Sequence, residues 1–144
     1  MKTKKKYDHF FSIITPVYNG KKYLSGYVKA LKEQLWEDWE AIIIDDNSSD
    51  GTYEFLEELI EGDERFQLET NKKTKGMAGP YQARNIGISL SQGKWICFLD
   101  IDDIWLPSKL QQQANTIQMN EELKFEEDPV ININYYMYIF LYIR

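Results

Sequence analysis

Glu40-Ala41-Ile42-Ile43-Ile44-Asp45-Asp46-Asn47-Ser48-Ser49-Asp50-Gly51-Thr52 decides the fold. Its apolar run, with three consecutive isoleucines, has no polar alternation, so it reads as a strand buried on both faces of a parallel sheet. It then breaks into carboxylates, an amide, hydroxyls and glycine, the composition of a turn. Two other runs share this form, Phe10 to Thr15 and Lys94 to Leu99, and each also ends in polar turn formers. Three such strands, each finishing in chemically active side chains, predict an open α/β sheet with a site beyond the strand ends.

Between these strands the period changes. Leu24, Tyr27, Val28, Leu31 and Leu35 recur at helical spacing, predicting an amphipathic helix over Lys21 to Leu35. Phe55, Leu56, Leu59 and Ile60 mark a second helix, with Ser49 or Asp50 as its N-cap. A weaker strand follows at Phe66 to Glu69. Asn71 to Gly79, with Lys72, Lys73 and Lys75, reads as a solvated surface loop. Pro80 suits a first helical position, Ala83, Ile86, Gly87 and Leu90 give that helix a face for the sheet, and Gly93 is expected to close it. Pro107 opens a last helix to about Met119, with Trp105 packing beneath it. Alternating strands and helices imply right-handed crossovers and a mostly parallel, three-layer α/β sheet.

The 144 residues suit one domain. Hydrophobic residues at 43% and charged residues at 28% exclude a disordered or collagen-like chain. A net charge of -6 argues against a nucleic-acid partner, the basic tip Lys2, Lys4, Lys5 and Lys6 notwithstanding. One cysteine, Cys97, allows no internal disulfide, and one histidine, His9, excludes multi-histidine metal sites. His9 is expected as a solvated residue before the first strand, and Trp95, Cys97 and Phe98 as core. The apolar run after the basic tip meets Pro16 too soon for a signal peptide, and no run of 18 apolar residues occurs.

Three units are expected: a basic tip over 1–9, a folded domain over 10–120 and an atypical tail over 121–144. The tail holds Tyr135, Tyr136, Tyr138, Phe140 and Tyr142 without a helical or alternating period. It reads either as an edge strand or as sequence outside its proper reading frame.

The strand ends carry the chemistry. Asp100-Ile101-Asp102-Asp103 sets three carboxylates within four residues, which repel by about 3 to 4 kcal/mol per pair at ~4 to 5 Å and an effective dielectric of ~20. A hard cation, magnesium or manganese, would relieve this, completed by water and substrate phosphate oxygens. Helix-capping and turn formation account for the same aspartates without a cation. A dinucleotide-dependent oxidoreductase fits poorly, since Thr15-Pro16-Val17-Tyr18-Asn19 lacks a glycine-rich phosphate turn.

Phe11 to Asn19, Ile44 to Thr52, Ala83-Arg84-Asn85-Ile86-Gly87 and Phe98 to Asp103 together resemble family-2 glycosyltransferases in motif, order and spacing, from about Phe10 to Met119. The resemblance implies the Rossmann-like GT-A fold and a nucleoside-diphosphate-sugar donor, often a uridine one. By that resemblance Tyr18 packs on the nucleobase, Pro16 shapes its wall, Asp46 accepts a hydrogen bond from the base, and Asp45 supports the turn or ribose. Arg84 lies near ribose or diphosphate. Asp102 and Asp103 match the end of the family's acidic DXD motif, which binds ribose and metal, and Asp100 matches its first position, with Asp102 or Asp103 the direct metal ligand.

The implied reaction moves the sugar to an acceptor hydroxyl on a glycan or lipid-linked carrier, in bacterial surface-glycan synthesis. A cytoplasmic place at the inner membrane face, with peripheral association, goes with it. The general base is not identifiable. Glu121, Glu122, Glu126, Glu127 and Asp128 lie downstream but in no family motif, and the usual acceptor-binding half is expected to be missing or replaced. The alternative is a truncated nucleotide-sugar-binding module without turnover.

Overall fold

The computed structural model describes residues 8–72 and 79–119, together with the backbone of 141–143. Strands β1 (His9–Val17), β2 (Trp39–Asp45), β3 (Phe66–Thr70) and β4 (Gly93–Phe98) are parallel, and β5 (Leu141–Ile143) pairs antiparallel with β4. The order is β3-β2-β1-β4-β5. Every residue of β2 is buried, as its unbroken apolar run demands. The interleaved helices are α1 (Leu24–Lys32), α2 (Thr52–Ile60), α3 (Pro80–Leu90) and α4 (Lys109–Met119).

Strand alternation sorts the helices into two layers. Phe11 and Ile13 of β1, Ile43 of β2 and Cys97 of β4 share one core with Leu31 of α1, Leu56 of α2 and Leu110 of α4. On the opposite face Ile42 and Ile44 pack with Ala83, Ile86 and Leu90 of α3. The expected three-layer α/β architecture is the observed one.

The first helix is shorter than its apolar period predicts. A 3-10 turn spans Lys21–Tyr23, α1 stops at Lys32, and Leu35 is 64% exposed. The buried side chain of Gln34 makes the stop: its Nε2 donates to the Ala30 carbonyl at 3.1 Å and to the Leu106 carbonyl at 2.8 Å. The Leu35 N–H then turns away to the Pro107 carbonyl. These bonds satisfy helix-end groups across the chain, which local periodicity does not report.

Gly93 also has another use than expected. α3 ends in an extended Ser91, and Gly93 starts β4, where a Cβ would lie 2.6 Å from the Ser12 backbone nitrogen. Only glycine admits that approach. It completes a buried cluster at the amino ends of the strands, in which Glu40 Oε1 accepts from Ser12 Oγ (2.5 Å), the Gln92 N–H (2.6 Å) and the Gly93 N–H (3.2 Å).

The N-cap of α2 is Gly51, at φ +82°, rather than Ser49 or Asp50. Asp50 nevertheless holds the helix start, its Oδ1 accepting from the Thr52 N–H at 3.0 Å and Thr52 Oγ1 at 2.5 Å. His9 belongs to β1 itself, with Nδ1 3.6 Å from Asp38 Oδ1. Trp105 packs partly buried against the core, as expected. Residues 141–143 form an edge strand, whereas the basic tip and the tail from 120 to 140 lie outside the described residues.

Candidate functional site

β1 is the sheet's topological switch point: β2 and β3 lie to one side of it and β4 to the other. Ligands of open α/β sheets bind beyond the carboxyl ends there. Pro16, Tyr18, Asp45, Asp46, Asp100, Asp102 and Asp103 all sit at those ends, and Arg84 reaches them from α3.

The loops after β1 and β2 are clasped together. Asn19 and Asn47 take left-handed backbone conformations, at φ 49° and 61°, which asparagine tolerates better than most residues. The Asn19 N–H donates to Ser48 Oγ at 2.9 Å and the Ser49 N–H to Asn19 Oδ1 at 2.8 Å. Next to them, the Gly20 N–H donates to Thr52 Oγ1 at 3.0 Å. The clasp leaves Tyr18 63% exposed, with its ring free of the core. The Asp46 N–H donates to the Val17 carbonyl at 2.8 Å, so Asp46 starts beside the Tyr18 loop.

The two carboxylates after β2 have different surroundings. Asp45 is buried, and its Oδ2 accepts the Ser48 N–H at 3.1 Å, which shapes the turn. Asp46 is half-buried, and its Oδ1 accepts from Asn71 Nδ2 at 2.8 Å. Asn71 is fully buried beyond β3; its N–H donates to the Asp45 carbonyl, and its carbonyl accepts from Asn47 Nδ2. The polar composition of 71–79 predicts a solvated loop, and Asn71 departs from it. The missed signal was its position, one residue past the carboxyl end of a strand. Asp45 Oδ1 and Asn71 Oδ1 are buried acceptors without a hydrogen-bond donor among the described residues.

Across the switch point, Arg84 Nη2 donates to Asp100 Oδ1 at 2.7 Å. Asp100 also caps a turn, its carbonyl accepting the Asp103 N–H at 3.0 Å. Asp102 and Asp103 are exposed and form no ion pair with another described residue. Among the described residues, no group of three His, Cys, Asp or Glu side chains gathers as a complete protein cage for a metal. The oxygen-only pair Asp102 and Asp103 still fits magnesium or manganese, which take one or two carboxylates and draw the other ligands from water and substrate phosphate. Lys72 is exposed, and Lys73 and Lys75 lie outside the described residues.

A groove of about 410 Å³ lies at the start of α2, lined by Lys21, Ser48, Phe55, Glu54 and Glu58 among others. It adjoins the clasp through Ser48 and Ser49, and its two glutamates oppose an anionic ligand. None of the described helices is long and apolar enough to cross a membrane.

The sequence pattern of Glycosyl transferase family 2 matches residues 12–123. The chain is 39% identical over 113 residues to the Escherichia coli UDP-Glc:alpha-D-GlcNAc-diphosphoundecaprenol beta-1,3-glucosyltransferase WfgD, covering 78% of this chain and 43% of that protein. It is 38% identical over 102 residues to the putative teichuronic acid biosynthesis glycosyltransferase TuaG of Bacillus subtilis, covering 71% of this chain and 39% of that one. In three dimensions it is similar to Staphylococcus aureus TarS 1-349, solved in complex with UDP, at a TM-score of 0.71 and 26% identity over 78% of this chain and 33% of that one. The mannosyltransferase PcManGT of Pyrobaculum calidifontis, solved with GDP-Man and Mn2+, shares the fold at a TM-score of 0.66 and 20% identity, over 79% of this chain and 36% of that one. The chain thus spans about two fifths of the length of these curated relatives. With its motifs in order along a GT-A sheet, it belongs to glycosyl transferase family 2.

Proposed function

We propose that this chain supplies the nucleoside-diphosphate-sugar-binding part of a glycosyltransferase of bacterial surface-glycan synthesis, with a uridine donor. The observation that carries the reading is the convergence of Tyr18, Asp46, Arg84 and the Asp100 to Asp103 turn on one switch point. An exposed aromatic ring can stack on a base, and Asp46, oriented by Asn71, can accept a base N–H. Pro16 walls the base, and Asp45 keeps the loop beneath the ribose in shape. Arg84 is the guanidinium available to diphosphate oxygens. Asp102 and Asp103 would hold magnesium or manganese, whose charge offsets that on the leaving diphosphate. The solved relatives with UDP and UDP-GlcNAc support the donor class.

In this reading the acceptor is a glycan or lipid-linked hydroxyl, which the diphosphoundecaprenol in the name of the Escherichia coli relative supports, and transfer takes place at the cytoplasmic membrane face. Its deprotonation needs a base. The candidates Glu121, Glu122, Glu126, Glu127 and Asp128 lie outside the described residues. The second reading is donor binding without turnover.

The test is calorimetric titration of UDP with and without manganese, on the intact chain and on an Asp102→Asn, Asp103→Asn double variant. Manganese-supported binding that the double variant loses is expected. A folded wild type that binds no UDP under either condition overturns the donor site. Sugar release from a labelled donor, with or without an acceptor, separates the two readings.

A further inference from the structure

The three aspartates of the acidic turn are not equivalent. Asp102 and Asp103 have no cationic partner among the described residues, whereas Asp100 holds Arg84 at 2.7 Å. The pair joins α3 to the end of β4 and remains open to solvent, with the Arg84 and Asp100 side chains 29% and 52% exposed. A diphosphate arriving there meets a guanidinium whose charge is already offset, and beside it a carboxylate that repels the newcomer. Asp100 also belongs to the turn that carries Asp103, through the Asp103 N–H bond to its carbonyl.

We infer that Asp100 is a positioning counter-charge that makes diphosphate binding at Arg84 conditional on a divalent cation at Asp102 and Asp103. The inference rests on the donor-site reading above and assigns Asp100 a different part in it. In the absence of a cation, Asp100 keeps Arg84 occupied and adds negative charge where phosphate must sit. Positive charge at the neighbouring aspartates offsets Asp100 and releases the guanidinium to phosphate oxygens. Linkage then requires the reciprocal effect, with UDP tightening the chain's hold on the cation by the same factor. Were Asp100 simply a ligand contributing affinity, its removal would weaken UDP in both conditions.

The experiment titrates UDP into wild type, Asp100→Asn, Arg84→Ala and the double variant, each in EDTA and in manganese chloride. Asp100→Asn is expected to bind UDP in EDTA roughly two- to fivefold more tightly than wild type, the range for a solvent-screened ion pair, and its manganese enhancement shrinks by the same factor. With Arg84→Ala in the background the gain disappears, because the released guanidinium is what produces it. Manganese titrated alone and in the presence of UDP gives the reciprocal coupling. Wild type that binds UDP normally, with Asp100→Asn unchanged or weaker in EDTA, overturns the inference and leaves the donor site standing. An Asp100→Asn chain whose far-ultraviolet circular dichroism shows it unfolded also overturns it, by making Asp100 a structural residue. A folded wild type that binds no UDP at all overturns the donor-site reading, and this inference with it.

Discussion

Replacing Gly87 with alanine sets two opposed effects against each other. In an exposed helix interior the change stabilises by about 1 kcal/mol, because glycine carries the larger backbone entropy loss. Gly87 is instead buried in α3, where a Cβ would lie 2.4 Å from Ile14 Cγ2 and 3.3 Å from Ile14 Cγ1. Carbon atoms in favourable contact sit about 3.5 to 4.0 Å apart, so the overlap exceeds ~1 Å. Ile14 offers little relief, being fully buried and β-branched in the central strand. Overpacking costs about 1 to 3 kcal/mol, and a clash this deep belongs at the upper end. Subtracting the propensity gain leaves Gly87→Ala destabilised by about 2 kcal/mol. Urea unfolding followed by tryptophan fluorescence should show a midpoint lower by roughly 1 M with an unchanged slope. Combining Gly87→Ala with Ile14→Ala should cost less than the sum of the two single changes, since the second removes the atoms that the first strikes. Gly87→Ala at or above wild-type stability refutes the reasoning. Arg84 lies one turn earlier on α3, so the same displacement should also weaken UDP binding.

Two further outcomes follow from buried polar groups. Burial pushes the Cys97 thiol up to about 12 and raises the Tyr27 phenol further still, so the folded chain keeps protons that the unfolded chain sheds above pH ~9 and ~10. Stability is therefore full below pH ~9 and falls as pH rises toward 12, partly offset by Lys109, whose ammonium is lowered by burial; a urea midpoint constant from pH 8 to 11 would contradict this. Asn71→Ala removes the 2.8 Å bond to Asp46 and should weaken UDP about tenfold, as loss of a hydrogen bond to a charged group does, while leaving the manganese enhancement intact; wild-type UDP affinity would remove Asn71 from the site.

Legibility in the sequence followed the range of the forces involved. β2 was readable because Ile42, Ile43 and Ile44 leave no polar alternation, and the start of α3 because Pro80 fits a first helical turn. The strand ends were readable as a site because Asp45 and Asp100 follow apolar runs directly. The end of α1 was not, since it depends on Gln34 meeting a carbonyl 72 residues away. Gly93 looked like a helix terminator until the closeness of β1 gave it another purpose. Asn71 was hidden because it is polar and ordinary in its own segment, and the contact between Arg84 and Asp100, both legible singly, because only the sheet brings the two together.

The Glu40 cluster divides labour between the two poles of the sheet. At the amino pole a single carboxylate oxygen gathers the Ser12 hydroxyl and two backbone N–H groups, tying β1, β2 and the entry to β4 into one knot. At the carboxyl pole the fastening of β1 to β2 falls to Asn19, Ser48 and Ser49, which are not the residues that face a donor in the reading proposed above. On the donor-site reading, substitutions at Tyr18 or Asp102 act at the carboxyl pole and leave the Glu40 knot untouched. On that reading, what is bound can change at one end of the sheet while the knot at the other is inherited unchanged.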